Sequence, residues 1–151
     1  MALLPVADAR DRILSGVRPL PGEWCELAGA LGRTTAGDVT TRRDSPSFDA
    51  SAMDGYAVRA ADVQAVPCEL RLVGTSAAGH AFKGRIKAGE CVRILTGAPL
   101  PSGADSIIIQ ENTELRDKQL RVLAKAIEGQ HIRTRGLDFR KGEALIPSGI
   151  R

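Results

Sequence analysis

The stretch Cys91-Val92-Arg93-Ile94-Leu95-Thr96-Gly97-Ala98-Pro99-Leu100-Pro101-Ser102-Gly103-Ala104-Asp105-Ser106-Ile107-Ile108-Ile109 sets two short aliphatic runs on either side of a connector punctuated by two glycines and two prolines. Runs of this length, rich in β-branched side chains and closed off by Gly and Pro, are strands rather than helices. The partial alternation in Cys91 to Leu95 predicts a one-sided antiparallel strand. The uninterrupted Ser106 to Gln110 run predicts a central strand covered on both faces.

On either side of this stretch, Cys68 to Val73 and Gln119 to Leu123 read as further strands, with weaker ones at Tyr56 to Arg59 and Ala144 to Ile146. Before Gly32 the texture differs. Pro5 followed by Val6, Ala9, Ile13, Leu14 and Val17 at steps of three and four predicts one amphipathic helix. A second short helix is expected over Glu26 to Leu31, with Gly32 as its stop. No strand alternates regularly with a long helix, so a doubly wound nucleotide fold is disfavoured. The expected class is α+β with β dominant.

Composition bounds the function. The chain has 151 residues, with 21 Lys and Arg against 18 Asp and Glu. A net charge of +3 is far short of the basic footprint of a nucleic-acid-binding domain, and the five aromatic residues are too few for a base-stacking platform. No apolar run is long enough to span a membrane and no signal peptide is evident, so a cytoplasmic protein is expected. Cys25, Cys68 and Cys91 are widely spaced within apolar text and are expected as reduced core thiols. Neither Cys-x-x-Cys nor a His–Cys cluster occurs, which argues against zinc. With only His80 and His131, and no Gly-x-Ser-x-Gly elbow, a hydrolase triad has no support.

Three segments carry candidate chemistry, each with two readings. In Ser45-Pro46-Ser47-Phe48-Asp49-Ala50-Ser51-Ala52-Met53-Asp54-Gly55-Tyr56-Ala57-Val58, the Asp54-Gly55 pair is either a tight turn or a device that holds the Asp54 carboxylate outward for Mg²⁺. In Gly89 to Asp105, Thr96-Gly97 is either a rigid proline-bracketed connection or a loop whose backbone N–H groups approach an anion. In Gly129 to Glu143, the cations Arg133, Arg135, Arg140 and Lys141 either clasp an oxyanion or pair with neighbours such as Asp138 and Glu143.

Taken together and in this order, Pro46 to Val58, Gly89 to Asp105 followed by Glu111, and Gly129 to Gly142 resemble the MoeA family of molybdopterin molybdenumtransferases, to which a domain of gephyrin is similar. The resemblance implies an activity: insertion of molybdate into the dithiolene of adenylylated molybdopterin, with release of AMP and help from Mg²⁺. It implies a homodimer, with the molybdopterin adenylyltransferase as pathway neighbour; the composition already argues against nucleic acid or a membrane as partner. By the same resemblance, residues 1–50 form an N-terminal helix and elongated arm to which 138–151 return, and residues 51–137 form an inserted, barrel-like β-rich domain.

Position by position, Asp54 resembles the acid of the family's Met-Asp-Gly motif, Thr96 the hydroxyl of its Thr-Gly-Ala-Pro loop, and Asp138 the acid after its Ile-Arg segment. These three are the implied catalytic residues, with Asp54 also the metal ligand. Ser51, Gly97 and Arg135 are implied cofactor contacts. His131 and Leu137 stand where the family more often has Asn and Glu. Family members continue beyond the position of Gly149 into an α/β molybdopterin-binding domain and a final β domain. The resemblance therefore implies that the isolated chain is inactive and lends Asp54 and Thr96 in trans to a partner subunit's pocket. A non-enzymatic dimerisation or scaffold module is the alternative.

Overall fold

The computed structural model of the protein describes residues 3–151. In chain order the elements are α1 (Val6–Ser15), β1 (Val39–Thr40), β2 (Ala50–Ser51), β3 (Gly55–Val58), β4 (Cys68–Ser76), β5 (Glu90–Ile94), β6 (Ser106–Ile109), β7 (Thr113–Arg116), β8 (Gln119–Val122), β9 (Ile132–Arg133) and β10 (Ala144–Ile146). Single turns of 3-10 helix occur at Leu27–Gly29, Ala60–Val63 and Gln110–Asn112. The chain divides into two compact units: the described residues up to Val39 with Ile146–Arg151, and Thr40–Leu145. No helix among the described residues is long and apolar enough to cross a membrane.

In the smaller unit, Pro5 presets the backbone at the start of α1, its carbonyl accepting from the Ala9 N–H at 3.0 Å, and Gly16 ends the helix. The apolar positions share one face, yet none of the ten helical residues is buried. The second expected helix does not form. Gly29 falls in its middle, and a segment of six residues cannot recover the cost of helix nucleation, so only the Leu27–Gly29 turn is present. Cys25 is accordingly exposed, not a core thiol as expected. The returning segment is held by Thr35, whose Oγ1 donates to the Pro147 carbonyl at 2.7 Å and accepts from the Ile150 N–H at 3.0 Å.

The larger unit is built on a curled six-stranded sheet of order β6-β3-β5-β4-β8-β7. All its neighbours are antiparallel except β4 and β5, which run parallel across a bulge between Leu72 and Gly74. Alternate side chains enter two apolar clusters. Tyr56, Val58, Leu70, Cys91, Ile108, Leu120 and Val122 lie in one; Ala57, Val92, Ile94 and Ile107 lie in the other. Residues 41–50 and 138–145 also belong to this unit: the Thr41 N–H donates to the Glu143 carbonyl, Ser45 bridges to Phe139, and β2 pairs antiparallel with β9.

Two strand expectations are corrected. β5 is interior, antiparallel to β3 but parallel to β4, and covered on both faces. Its apparent alternation comes from Arg93 alone, whose guanidinium lies 5.0 Å from the centroid of the Tyr56 ring. β6 is the last strand of the ladder, not a central one, although Ile107 and Ile108 are both buried because the two clusters sit on its opposite faces. Strands β1, β2, β7 and β9 carry no expectation from the sequence. The β7–β8 hairpin turns at Asp117, which takes a left-handed conformation (φ 55°) without a glycine to signal it.

β3 is threaded between β5 and β6, with Gly55 opposite both Ile94 and Ile109. A Cβ at Gly55 would lie 2.0 Å from the Ile108 carbonyl oxygen and 2.9 Å from its carbon. Both atoms are backbone, so neither can rotate aside. Gly55→Ala is expected to destabilise the protein by about 3 kcal/mol, the upper range for forced overpacking, in urea unfolding; a loss under about 1 kcal/mol would show that the strands can part cheaply. Burial pushes the Cys91 thiol up to about 12, whereas Cys25 is exposed. Under native conditions iodoacetamide should label Cys25 readily and leave Cys91 unmodified until denaturant is added, as read by peptide mass spectrometry.

Candidate functional site

Four of the six expected residues come together where β3 begins and β5 ends. The Asp54 Oδ1 accepts two hydrogen bonds from one residue: the Thr96 backbone N–H at 2.7 Å and the Thr96 hydroxyl at 2.7 Å. One step further, the Gly97 N–H donates to the Ser51 carbonyl at 2.8 Å and the Ser51 N–H donates to the Ala98 carbonyl at 3.0 Å. Gly97 takes φ +79°, which aims its N–H at that carbonyl and which an L side chain adopts only with strain. Ser51 is buried, and its hydroxyl donates to the Met53 carbonyl at 2.5 Å while accepting from the Met53 N–H. It braces the turn that leads to Asp54 and does not face outward.

The Thr96-Gly97 loop is thus not an open amide nest. The N–H groups of Thr96, Gly97 and Ala98 donate to Asp54, Ser51 and Leu95 respectively. What the loop offers is the second oxygen of Asp54, which accepts no hydrogen bond among the described residues. The tight-turn reading of Asp54-Gly55 is corrected: Gly55 is a strand residue without a positive φ, and it is Thr96, from the loop after β5, that takes one Asp54 carboxylate oxygen and leaves the other free.

The Thr96 N–H, then the Thr96 hydroxyl, hold the Asp54 carboxyl below the ordinary carboxylate range, with a smaller push in the same direction from the Arg93 guanidinium. Asp54 is exposed and ionised at neutral pH. It is no proton donor there.

Arg135 and Asp138 stand in a second group. The Arg135 Nε donates to Asp44 Oδ2 at 2.5 Å, and its backbone N–H donates to Asp49 Oδ1 at 2.8 Å. Asp138 accepts from Arg133 at 2.5 Å and from the Ser45 hydroxyl at 3.2 Å. The Lys141 backbone N–H also donates to Asp44, and the Arg140 N–H to Glu143. The Arg133 and Arg135 guanidinium groups pair with Asp138 and Asp44, as one of the two readings held, whereas Arg140 and Lys141 are held through their backbone N–H groups. No side-chain hydrogen bond or ion pair among the described residues joins this group to Asp54 and Thr96; the β2–β9 ladder, Ser51 opposite Ile132, is the backbone link.

Sequence reasoning missed Asp44, Arg93 and Gln110. Asp44 receives the Lys141 N–H and the Arg135 guanidinium, which together hold its carboxyl below the usual range. Arg93 donates to the Gly55 carbonyl at 3.3 Å and to Gln110 Oε1 at 2.6 Å, and the Gln110 N–H donates to the Asp54 carbonyl at 3.2 Å. Of these, Arg93 left a trace in the sequence, as a cation inside an aliphatic strand, a feature it shares with Arg71 and Arg121.

No group of three or more His, Cys, Asp or Glu side chains that would hold a metal ion by themselves exists among the described residues. A lone carboxylate oxygen does fit a hard cation that takes its other ligands from phosphate oxygens and water, as Mg²⁺ commonly does.

The family model for the MoeA N-terminal region, domains I and II, matches residues 4–151. The chain belongs to this family. This MoeA N-terminal region is 36% identical over 151 residues to a molybdopterin molybdenumtransferase of Haemophilus influenzae, covering 99% of this chain and 37% of that protein. A second such protein, from Nostoc, is 35% identical across 85% of this chain and 30% of its own length. A crystal structure of a molybdopterin biosynthesis moeA protein from Pyrococcus horikoshii superposes with a TM-score of 0.90 at 34% identity, covering 97% of this chain and 40% of that one. The chain thus spans well under half the length of these relatives.

For the MoeA chain, Thr96→Val removes the lesser of the two bonds to Asp54 and keeps the greater. The Asp54 titration midpoint, followed by carboxyl NMR, should rise but stay below the ordinary range. Because the folded value is lowered, the stability Asp54 contributes is complete above the ordinary carboxylate range and is lost as pH falls through the lowered value. Acid should therefore lower the thermal midpoint of the wild type more steeply than that of Asp54→Asn.

Proposed function

We propose that this chain is the N-terminal part of a molybdopterin molybdenumtransferase and that Asp54 is its principal functional side chain, contributed to the insertion of molybdate into adenylylated molybdopterin with release of AMP. The observation that supports this most directly is the ionised carboxylate held through one oxygen by Thr96, with the other oxygen unengaged at the surface. The names of the relatives support the substrate class and the role in molybdenum cofactor biosynthesis.

In this reading Asp54 is an acceptor and ligand, not an acid. Thr96 spends both its N–H and its hydroxyl on Asp54, so it orients the carboxylate and does not itself hold the substrate phosphate. When bound, Mg²⁺ supplies charge neutralisation for phosphate oxygens, and Asp54 Oδ2 is the atom of this chain that would hold it. Ser51 and Gly97 fix the distance between the two loops. Asp138 and Arg135 shape the neighbouring rim, where the guanidinium of Arg135, bonded through Nε to Asp44, keeps other N–H groups for an anion.

The homodimer and the adenylyltransferase as pathway neighbour belong to the same proposal. The exposed apolar positions Val6, Ile13, Leu14 and Val17 of the α1 segment favour an assembly, with or without catalysis.

In a full-length enzyme carrying this region, Asp54→Asn is expected to lower molybdate-dependent AMP release about a hundredfold, the usual cost of removing a charged group that acts on the reacting centre. The thermal midpoint at neutral pH should change little by comparison. Retained turnover would sink the assignment; loss of folding would show the carboxylate to be structural.

A further inference from the structure

We propose that Arg93 is the positioning residue of Asp54: from β5 it locks the backbone on which the carboxylate is carried, so that the free oxygen keeps one orientation. The proposal rests on the reading of Asp54 as the functional carboxylate and extends it to a residue that touches no substrate.

Three observations converge on Arg93. Its place is unfavourable by ordinary packing. Cys91, Val92 and Ile94 on the same strand are fully buried, and an aliphatic residue at 93 would continue that apolar strand without taking a charge partly out of water. Its contacts then form a closed set. One guanidinium nitrogen donates to the Gly55 carbonyl, another donates to Gln110 Oε1, and the plane lies over the Tyr56 ring. A rigid planar fork can make these three contacts together; a lysine ammonium cannot.

Finally, the partners of Arg93 close on Asp54. Gln110 is oriented by Arg93 through its side chain, with its Nε2 donating to Glu111, and it donates its own N–H to the Asp54 carbonyl. Gly55, the next residue, is held by Arg93 on one side and leaves no room toward Ile108 on the other. The Asp54-Gly55 unit thus has its two carbonyls and one carboxylate oxygen all engaged. Of the acceptor oxygens of this unit, Asp54 Oδ2 is the one without a partner among the described residues, which is the arrangement a preorganised ligand requires.

The test uses this chain and reads amide exchange by NMR. In Arg93→Gln the Thr96 amide, which donates to Asp54 Oδ1, should exchange roughly tenfold faster, while amides in the middle of β3 stay within about twofold of wild type. Unchanged exchange at Thr96, or equal acceleration throughout β3, overturns the proposal. Gln110 is exposed, so Gln110→Leu breaks the same set without touching the core and carries the same two outcomes if Arg93→Gln does not fold. Gln110→Glu keeps the acceptor and should hold Thr96 near the wild-type rate; acceleration as large as in Gln110→Leu counts against the proposal. Exchange is read without turnover, so an active Asp54→Asn enzyme would fail the functional reading of Asp54 separately.

Discussion

The close approach of β3 to β6 at Gly55 is the constraint on which the rest depends. With the Ile108 carbonyl 2.0 Å from where a Cβ would stand, the two strands come together at this row only because residue 55 has no side chain. That approach lets β3 lie between β5 and β6, which in turn brings Tyr56, Val58 and Ile108 into one cluster and Ala57 and Ile107 into the other. It also fixes where the sheet begins. Asp54, one residue earlier, is held at the lip, opposite the loop that leaves β5.

From that placement the site follows by hydrogen-bond accounting. The amides of the Thr96-Gly97 loop, which could have cradled an anion, are all directed to acceptors in the protein. Thr96 binds the carboxylate twice, Gly97 and Ala98 close the loop against Ser51 and Leu95, and Gln110 and Arg93 hold the carbonyls of Asp54 and Gly55. A carboxylate held this firmly loses little entropy when a ligand arrives. The lowered titration of Asp54 has the same cause, since the bonds that orient it also favour its charged form.

The second group, around Asp44, Arg135 and Asp138, obeys a different logic. Its charges are paired across chain segments far apart in sequence, Asp44 with Arg135 and the Lys141 amide, Asp138 with Arg133 and Ser45. The Arg133–Asp138 pair is exposed and contributes little to stability, whereas the Asp44 carboxylate is mostly covered. They shape a turn and set the rim beside β9.

Secondary elements whose causes are local are legible in the residues alone. The Pro5 start and the three-to-four spacing specify α1, and β-branched runs closed by Gly and Pro specify β3, β4, β5, β6 and β8 to within a few residues. At Asp54 and Thr96 the residue types left two readings open, and it was the resemblance of the motifs taken in order that made them candidates. Only the tertiary structure decided that Arg93 makes an interior strand look one-sided, that β6 closes the ladder, that Cys25 lies outside the core, and that β7 and β9 are strands at all. These depend on partners distant along the chain. Short segments such as Ile132-Arg133 become strands because β2 offers them a ladder, and the role of an arginine in an aliphatic run is set by whether an aromatic face and a carbonyl stand across from it. Local propensity encodes the element; long-range hydrogen bonding encodes its neighbour, and at Asp54 the neighbour, Thr96, is what orients the carboxylate.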